Sequence, residues 1–599
     1  MPDVIEDYAL LSSGRTAALV SRQGSIDWLC LPRFDSASVF AALVGGAEDG
    51  HWLLRPTDAD ATCSRRYDGD TFTLITRWQT ASGVAEVHDS LPVNPERMDV
   101  IHRVDLVRRV VGVTGEVMFA QEVRLRFDYA RAVPWVRQTG THAAPELTAI
   151  AGPDAVVIRG GTLRAEDHVH RGTLTVAAGE QQDLVLTWHP SHRPAPDALD
   201  VDAALKASDR WWRSWAAHIT THDVHRDAVV RSLLTLRALT DHDTGGIIAA
   251  ATTSLPEDFG GERNWDYRFV WLRDASLTID VLLSHGFAHA VDHWRQWLLR
   301  AIAGDPRQLQ IVYGIGGERD LPERELGHLP GYQGARPVRI GNGAAAQYQA
   351  DVIGEVLAAL FAARDAGTAE AALSWPLERA LLRHAEERLP EPDRGIWETR
   401  GEPRMFTHSR AMVWTAFDRG VRSVREHGVT GPAAHWEGIR DAVRREIDAD
   451  GVSARGHFVQ HPGTDAVDAS LLLLPTVGFC APDDPRMLAT VAEIERTLMP
   501  DGLVLRYRSE SGVDGLSGVD NPFLACSFWL VEQYAATGRL GDARALMARA
   551  CDVSNDVGLL SEEFDVTAGR QAGNTPQALS HLALVRAADA IERAQSTQL

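Results

Sequence analysis

The period of the hydrophobic pattern changes once along this chain, and that change most constrains its fold. Before residue 190, apolar and polar residues alternate in short runs, as at Val117 to Phe127 and at Leu174 to Leu186 around a turn at Gly179. Alternation of this kind is typical of half-buried strands. Several such runs with Gly- or Asp-rich turns between them predict an antiparallel β-sandwich.

A proline-rich stretch ends this pattern. Residues 189–200 contain Pro190, Pro194 and Pro196, which disfavour both a helix interior and a central strand. We therefore expect a domain boundary at this stretch. The predicted division is an N-terminal β-sandwich over 1–195, a linker helix region over 196–222 and a helical domain over 223–599.

Beyond the boundary the apolar residues recur with helical spacing. About a dozen amphipathic helices joined by long loops predict a toroid of paired helices, with the active site at one rim because function usually lies on loops held by a rigid scaffold. The predicted helices are Asp223 to Asp241, Ala275 to His285, Val291 to Ile302, Ala344 to Arg364, His408 to Glu426, Ala434 to Ile447, Pro485 to Leu498, Phe523 to Thr537, Asp542 to Cys551 and Pro576 to Ala594, with weaker helices between Ala369 and Leu389.

Composition excludes several classes of function. The chain has 60 basic and 82 acidic residues, a formal net charge of −22. Because binding to a phosphate backbone depends mainly on clustered Lys and Arg, we expect no nucleic-acid partner. Lys206 is the only lysine and lies outside any glycine-rich loop. This excludes a pyridoxal Schiff base, a lysine nucleophile and a Walker-type phosphate loop.

The sequence gives little indication of a metal site or of disulfide bonds. The five cysteines are widely spaced and form no CxxC pair, so neither a disulfide framework nor a zinc–thiolate site is indicated. His457 and His461 lie four residues apart, but the glutamate of a metalloprotease helix is missing between them and Pro462 follows. We expect no metal ion and no cofactor.

Two sequence features bear on the cellular location of the protein. The acidic N-terminus lacks the basic and apolar regions of a signal peptide. The longest dense apolar run, Leu471 to Leu474, ends at Pro475 and is too short to cross a bilayer. We expect a cytoplasmic protein with no membrane association, and a homo-oligomer stays open.

Three loops that precede helices combine acidic, aromatic and arginine residues: Ser254 to Asp274, Gly395 to Glu402, and Gly558 to Asp565 with the following Gly573 to Gln577. Two of them present a glutamate, Glu398 beside Trp397 and Glu562. Glycoside hydrolysis needs one protonated and one ionised carboxyl group, and burial against an aromatic ring raises the pKa of the first in the required direction. Aromatic rings also stack on sugar rings while Arg and Asp bind hydroxyls, which accounts for Trp271, Arg273 and Asp274.

Six long motifs then resemble a known family. In chain order, they resemble glycoside hydrolase family 15, which contains glucoamylases, glucodextranases and bacterial trehalases. The first motif is similar to the trehalase-like N-terminal domain of that family. The motifs are GSIDWLCLPRFDSASVF (24–40), RNWDYRFVWLRDA (263–275), HLPGYQGARPVRIGN (328–342), GIWETRGEPRMFTHSRAMVW (395–414), DASLLLLPTVGF (468–479) and GLLSEEFD with GNTPQALSHLAL (558–584).

The resemblance implies an N-terminal β-sandwich followed by an (α/α)6 barrel, and anomer-inverting exo-hydrolysis of an α-glucoside. By motif, Glu398 resembles the general acid and Glu562 the general base, while Glu563 lies where the family also tolerates Gln. The resemblance also implies a set of substrate-binding residues. These are Tyr267 and Trp271 as ring platforms, Trp397 beside the acid, Arg273 and Asp274 on the terminal glucose, and Arg506.

The substrate within this family is less constrained. Thr399 stands where glucoamylases often carry a second acid, and Asn521 to Phe523 differ from the pattern of trehalase-like members. The N-terminal resemblance favours trehalose slightly over maltooligosaccharides or isomaltooligosaccharides, all of them small neutral α-glucosides. Two other classes stay open: an inverting glycoside phosphorylase, which needs a cationic phosphate pocket and no catalytic base, and a noncatalytic glucan-binding relative.

Overall fold

The computed structural model describes residues 2–93, 102–141, 145–221, 225–367 and 374–596. Its first third is built of antiparallel strands and the remainder mainly of helices. The fifteen strands described in the first third are β1 Tyr8–Ser12, β2 Ala17–Ser21, β3 Ser25–Cys30, β4 Ser38–Phe40, β5 His51–Pro56, β6 Thr62–Tyr67, β7 Leu74–Gln79, β8 Gly83–Ser90, β9 Val104–Arg124, β10 Trp135–Gly140, β11 Pro145–Ala151, β12 Asp154–Arg159, β13 Arg164–Glu166, β14 Val169–Ala177 and β15 Gln181–Pro190.

Strand β9 joins two antiparallel layers. Its first half pairs with β8 and β15, and its second half pairs with β5 and β14. Inward residues such as Leu106, Val110, Val117 and Phe119 are fully or almost fully buried, as the alternating pattern requires. The turn at Gly179 between β14 and β15 has a positive φ of 84°, which glycine adopts readily. The predicted β-sandwich is confirmed.

A buried ion pair anchors the centre of these layers. Arg108 on β9 donates through Nε to Asp89 Oδ1 on β8 at 2.8 Å, and its other nitrogens donate to the carbonyl oxygens of Trp52 and Gly24. Both charged side chains are at most 1% exposed. A buried guanidinium is tolerated because each of these acceptors replaces lost hydration.

Helices follow the proline-rich stretch. Strand β15 ends at Pro190, and the first helix is capped by the Asp200 side chain, which accepts from the Ala203 amide. The helices described are α1 Val201–Ala216, α2 Arg226–Ala238, α3 Leu272–Ser284, α4 Ala288–Ala301, α5 Asp351–Asp365, α6 Ser374–Glu387, α7 Thr407–His427, α8 Ala433–Asp450, α9 Pro485–Thr497, α10 Leu524–Ala536, α11 Leu540–Cys551 and α12 Ala578–Ser596.

Alternate elements close a ring. Contacts run from α3 to α5, from α5 to α7, then through the 3₁₀ segment Ala469–Leu473 to α10, α12 and back to α3. Across the described ranges these are six inner elements, and α2, α4, α6, α8, α9 and α11 lie outside them. The inner helices are extensively buried because they are covered on more than one side: α10, for example, is buried at Leu524 through Ala535. The predicted (α/α)6 barrel is confirmed.

Most helix boundaries fall within a few residues of those predicted, and one differs. The helix predicted from Ala344 begins at Asp351, because Gly343–Ala346 forms a separate 3₁₀ turn and Gln347 is extended. Residues 222–224 and 368–373 lie outside the described residues, so the predicted boundary at 222 and the start of the weaker helix at Ala369 are not described. The domain division stays a prediction.

Three short two-stranded antiparallel sheets lie among the helices. They connect segments that precede inner helices, and they help to position the loops that carry the candidate site residues. Their strands are β16 Val270–Trp271 with β17 Val312–Tyr313, β18 Arg324–Glu325 with β19 Arg339–Ile340, and β20 Glu563–Asp565 with β21 Arg570–Ala572. Every helix in the described ranges is too short or too polar to span a bilayer.

Candidate active site

The sites predicted from the sequence meet at one rim of the helical ring. Arg273 and Asp274 lie in the first turn of α3, Glu398 precedes α7, and Glu562 precedes α12. Since α3, α7 and α12 are inner elements, the loops before their N-termini converge. Positive helix ends at this rim also favour acidic side chains.

Glu398 lies on a turn with a constrained backbone. Its φ is +50°, a left-handed conformation that costs a residue with a Cβ on the order of 1–3 kcal/mol and is found mainly at functional sites. The Gln347 side chain donates to the Glu398 carbonyl oxygen at 3.2 Å. Gly395 begins the turn with φ +64°, and a Cβ there would lie 2.9 Å from the Phe406 ring. The local sequence therefore fixes where the Glu398 carboxyl group lies.

Arg273 and Asp274 lie behind this carboxyl group. Arg273 Nη1 donates to Glu398 Oε1 at 2.8 Å, and Arg273 Nε donates to Asp274 Oδ1 at 2.6 Å. Burial raises the pKa of Glu398 above its ordinary value, and the Asp274 carboxylate adds to that rise while Arg273 opposes it. The net direction favours a protonated Glu398, the state that can donate a proton.

Glu562 lies beside Tyr267, a residue of the first predicted loop. The Tyr267 hydroxyl donates to Glu562 Oε1 at 2.6 Å, and Glu562 is 1% exposed. Gly573, with φ +75°, leaves the room this carboxyl group needs, because a Cβ there would lie 2.6 Å from Glu562 Oε2. Burial raises the pKa of Glu562 to about 8, with Glu257 adding to the rise and Arg506 and Tyr267 opposing it.

Glu562 belongs to a larger buried acidic cluster around Arg506. Arg506 Nη2 lies 3.0 Å from Glu257 Oε2 and 3.0 Å from Glu563 Oε1, and it also pairs with Asp520. Oxygens of Glu257, Asp520 and Glu563 lie within 4.8 Å of one another, a spacing that a metal ion could bridge. In this cluster the Arg506 guanidinium supplies the positive charge.

Protonation is unevenly shared in this cluster. Burial raises the pKa of Glu563 well above its ordinary value, and Asp520 adds to the rise. Glu563 lacks the tyrosine hydroxyl that stabilises an ionised Glu562. Interacting carboxyl groups titrate as a set, and this set takes up its first proton most readily at Glu563. Of the two adjacent glutamates, Glu562 is then the better stabilised as a carboxylate.

A pocket lies beside Glu398, and Tyr267, whose hydroxyl bonds Glu562, forms part of its lining. Five predicted site residues line it: Tyr267, Trp271, Trp397, Glu398 and Arg506. The Trp271 and Tyr267 rings pack edge to face with centroids 5.5 Å apart, and Trp397 donates through Nε1 to Asp468. Arg273, Asp274 and Glu562 stand behind this lining.

Other lining residues were not predicted. Glu257, Arg263, Asn342, Tyr507 and Asp514 all border the pocket. Glu257 and Arg263 lie inside the loop from Ser254 to Asp274 that was singled out from the sequence, but neither was assigned a role there. Asp514 accepts two hydrogen bonds from Arg263, which lies 251 residues earlier in the chain. A contact between residues so far apart in sequence leaves no local pattern by which one sequence could predict it.

Residues 223–589 match Glycosyl hydrolases family 15, and residues 1–160 match the region described as Trehalase-like, N-terminal. The chain belongs to glycosyl hydrolase family 15. The family-15 match covers the helical ring and every predicted site residue, so this protein is a glycoside hydrolase.

Curated relatives cover almost the whole family-15 chain. A trehalase of Mycobacterium tuberculosis is 38% identical over 99% of this chain and 90% of its own length. A trehalase of Thermoplasma acidophilum is 33% identical over 96% of this chain and 98% of its own length.

A solved structure shares the family-15 fold. The crystal structure of a bacterial glucoamylase complexed with acarbose matches 99% of this chain and 96% of that chain, with a TM-score of 0.73 at 12% identity. This likeness supports the architecture of a sheet domain followed by the helical barrel.

Proposed function

We propose that this protein hydrolyses α,α-trehalose with inversion at the attacked carbon, using Glu398 as general acid and Glu562 as general base. The observation that carries the proposal is the pair of carboxyl groups at this pocket: Glu398 lines it and is held by Arg273, and Glu562 lies behind the lining and is held by Tyr267. Two differently supported carboxyl groups at one pocket fit an acid and base pair.

The chemical step balances with these two groups. Glu398 donates its proton to the glycosidic oxygen as the bond from that oxygen to C1 breaks. The Glu562 carboxylate accepts a proton from a water molecule whose oxygen bonds to C1 on the opposite face. The attacked glucose leaves as the β-anomer, and the other glucose keeps its α-configuration.

The aromatic and charged lining accounts for binding a neutral sugar. Trp271, Tyr267 and Trp397 provide ring surface for the apolar faces of the sugar, while the Arg506 guanidinium lies over Trp397 with Cζ 5.8 Å from its ring centroid. Arg273 donates to both Asp274 and Glu398. We infer that the contact of Arg273 and Asp274 with sugar hydroxyls is secondary to holding the acid.

Trehalose is the substrate we favour because the similar curated proteins are trehalases across nearly the full chain. The test measures initial rates of the purified protein on trehalose, maltose, isomaltose, panose and starch. We expect kcat/KM to be highest for trehalose. A protein that cleaves maltose or isomaltose but leaves trehalose intact would overturn the substrate assignment.

A phosphate arm separates hydrolysis from phosphorolysis. The same trehalose assay is run with and without inorganic phosphate, and both glucose and glucose 1-phosphate are measured. We expect two glucose molecules per trehalose and no sugar phosphate, because the proposed base Glu562 activates water in this mechanism. Accumulation of glucose 1-phosphate would overturn the assignment as a hydrolase and identify the reaction as phosphorolysis.

We further propose a cytoplasmic location. All five cysteines carry free thiols, three of them buried, and free thiols fit a reducing compartment. Localisation of a tagged full-length chain tests this, with the cytoplasmic fraction expected to hold the activity.

A further inference from the structure

A turn in the sheet domain has an unusual backbone. Asp128, Tyr129 and Ala130 are three consecutive residues with φ of +50°, +55° and +66°. Residues with a Cβ rarely adopt the left-handed region, and three in a row persist only where their surroundings hold them. Hydrogen bonds between Phe127 and Ala132 in both directions close the turn.

This turn is held by two loops of the helical region. The Tyr129 hydroxyl accepts a hydrogen bond from Arg268 Nη2 at 2.9 Å. His328 Nε2 lies 2.7 Å from the Tyr129 carbonyl oxygen, which can only accept, so Nε2 carries the proton. Arg268 and His328 belong to two loops that border the candidate active site.

Arg268 connects the sheet domain to the pocket. It is 1% exposed, and its Nη1 donates to the Ser36 carbonyl oxygen at 2.9 Å and to Cys30 Sγ at 3.3 Å. On its other side it forms a two-pronged pair with Asp266, at 2.9 Å through Nε and 2.7 Å through Nη2. Such paired hydrogen bonds fix orientation as well as distance.

Asp266 and Arg268 flank Tyr267 in the chain. Asp266 Oδ2 also accepts from the Gly341 amide, and its carbonyl oxygen accepts from the Asn342 side chain, each at 3.2 Å. The backbone on both sides of Tyr267 is therefore fixed by contacts that lead to the sheet domain. The Tyr267 hydroxyl in turn donates to Glu562.

We propose that Tyr129 and Arg268 are positioning residues for the general base, through which the sheet domain holds the Tyr267 hydroxyl against Glu562. The proposal rests on the proposed function of Glu562. Neither Tyr129 nor Arg268 lines the pocket, so they act through Asp266 and Tyr267. The sheet domain is then part of the catalytic apparatus although it contributes no residue to the pocket lining.

The pH profile reports this effect. Glu562 is faced by Tyr267, by Glu257, by Arg506 and by its neighbour Glu563. Of these, Arg506 and the Tyr267 hydroxyl favour the carboxylate. A displaced hydroxyl raises the pKa of Glu562, and because activity requires the carboxylate, the acid limb of the pH profile moves to higher pH.

The test compares Tyr129→Phe and Arg268→Lys with Tyr267→Phe. We expect each of the first two to lower kcat on trehalose about ten-fold, less than the roughly 10²-fold cost of a 1 Å displacement. KM should change little, and the acid limb should shift to higher pH as in Tyr267→Phe. The double variant Tyr129→Phe/Tyr267→Phe should lose no more activity than Tyr267→Phe, since residues that act through one contact are not additive.

Asp243→Asn is the matched control, because it alters another contact between the sheet and helical regions, from Arg15 to Asp243 at 2.6 Å, away from the pocket lining. It should keep wild-type kinetics. Wild-type kcat and acid limb in Tyr129→Phe and Arg268→Lys, or additive losses in the double variant, would overturn the proposal. Glu562→Gln in the same assay distinguishes a failure of the base assignment from a failure of the positioning proposal. If Glu562→Gln keeps wild-type turnover, Glu562 is not the base.

Discussion

Arg273 Nη1 lies 2.8 Å from Glu398 Oε1, so the proposed acid is held by a cation that lowers its pKa while burial raises it. Asp274, bound to the other side of the same guanidinium, acts in the opposite direction to Arg273. Burial raises the pKa of Glu398, and two adjacent residues then change it in opposite directions.

This opposition predicts two shifts of opposite sign. Activity requires protonated Glu398 and is lost as pH rises through its pKa. Asp274→Asn removes a charge that raises that pKa, so the alkaline limb of kcat/KM should move to lower pH. Arg273→Gln removes a charge that lowers it, so the alkaline limb should move to higher pH. Shifts in the same direction would refute this account.

The roles of the two glutamates can be separated with substrates of different leaving-group ability. Glu398→Gln and Glu562→Gln should each lower kcat on trehalose by about 10² or more. With α-glucosyl fluoride, which needs no proton on its leaving group, Glu398→Gln should recover much of its activity and Glu562→Gln should not. Glu402→Gln, an exposed glutamate of the same loop, is the control and should behave as wild type. Equal recovery in both active-site variants would argue against the assignment.

Gly573 offers a steric test of the base. A Cβ at this position would lie 2.6 Å from Glu562 Oε2 and 2.7 Å from Glu562 Cβ, whereas a Cβ at Gly569 would meet nothing within 4 Å. Both glycines have positive φ, +75° and +68°, so both alanine variants carry a similar backbone cost of roughly 1–2 kcal/mol. Gly573→Ala should lower kcat at least ten-fold more than Gly569→Ala. Similar kinetics in both would show that Glu562 does not need its observed position.

Sheet stability should depend on the Asp89–Arg108 pair. Asp89→Ala leaves a fully buried guanidinium without its carboxylate, which typically costs about 3–5 kcal/mol. Chemical denaturation followed by circular dichroism measures this cost. Arg77–Glu86 is a matched pair on neighbouring strands with Arg77 47% exposed, and Glu86→Ala should cost no more than about 1 kcal/mol. A loss below about 1 kcal/mol in Asp89→Ala would contradict the buried anchor.

The sequence predicted the architecture well because both periodicities are local. Helices α7, α9 and α10 begin within one residue of the predicted positions, and the strands around Gly179 pair as the alternation indicates. Helix α5 was predicted seven residues too early, since the small apolar residues from Ala344 have helical spacing while Asn342 and Gln347 are drawn to the pocket. Tertiary contacts overrode propensity there.

The site was predicted in part. Glu398, Trp397, Tyr267, Trp271 and Arg506 border one pocket, and motif resemblance was enough to bring them together. Their partners were not found. The ion pair of Arg506 with Glu257 spans 249 residues, and the contact of Tyr129 with Arg268 spans 139 residues. Such contacts depend on how two separate elements pack against each other. No local pattern in a single sequence predicts that packing.

The central claim is inverting hydrolysis of trehalose by Glu398 and Glu562, and the most direct measurement follows the anomers by proton NMR during the first turnovers, before mutarotation. The account predicts equal initial amounts of α- and β-glucose, with oxygen from ¹⁸O-labelled water found only in the β-anomer. Two α-glucose molecules per trehalose would indicate retention and contradict it.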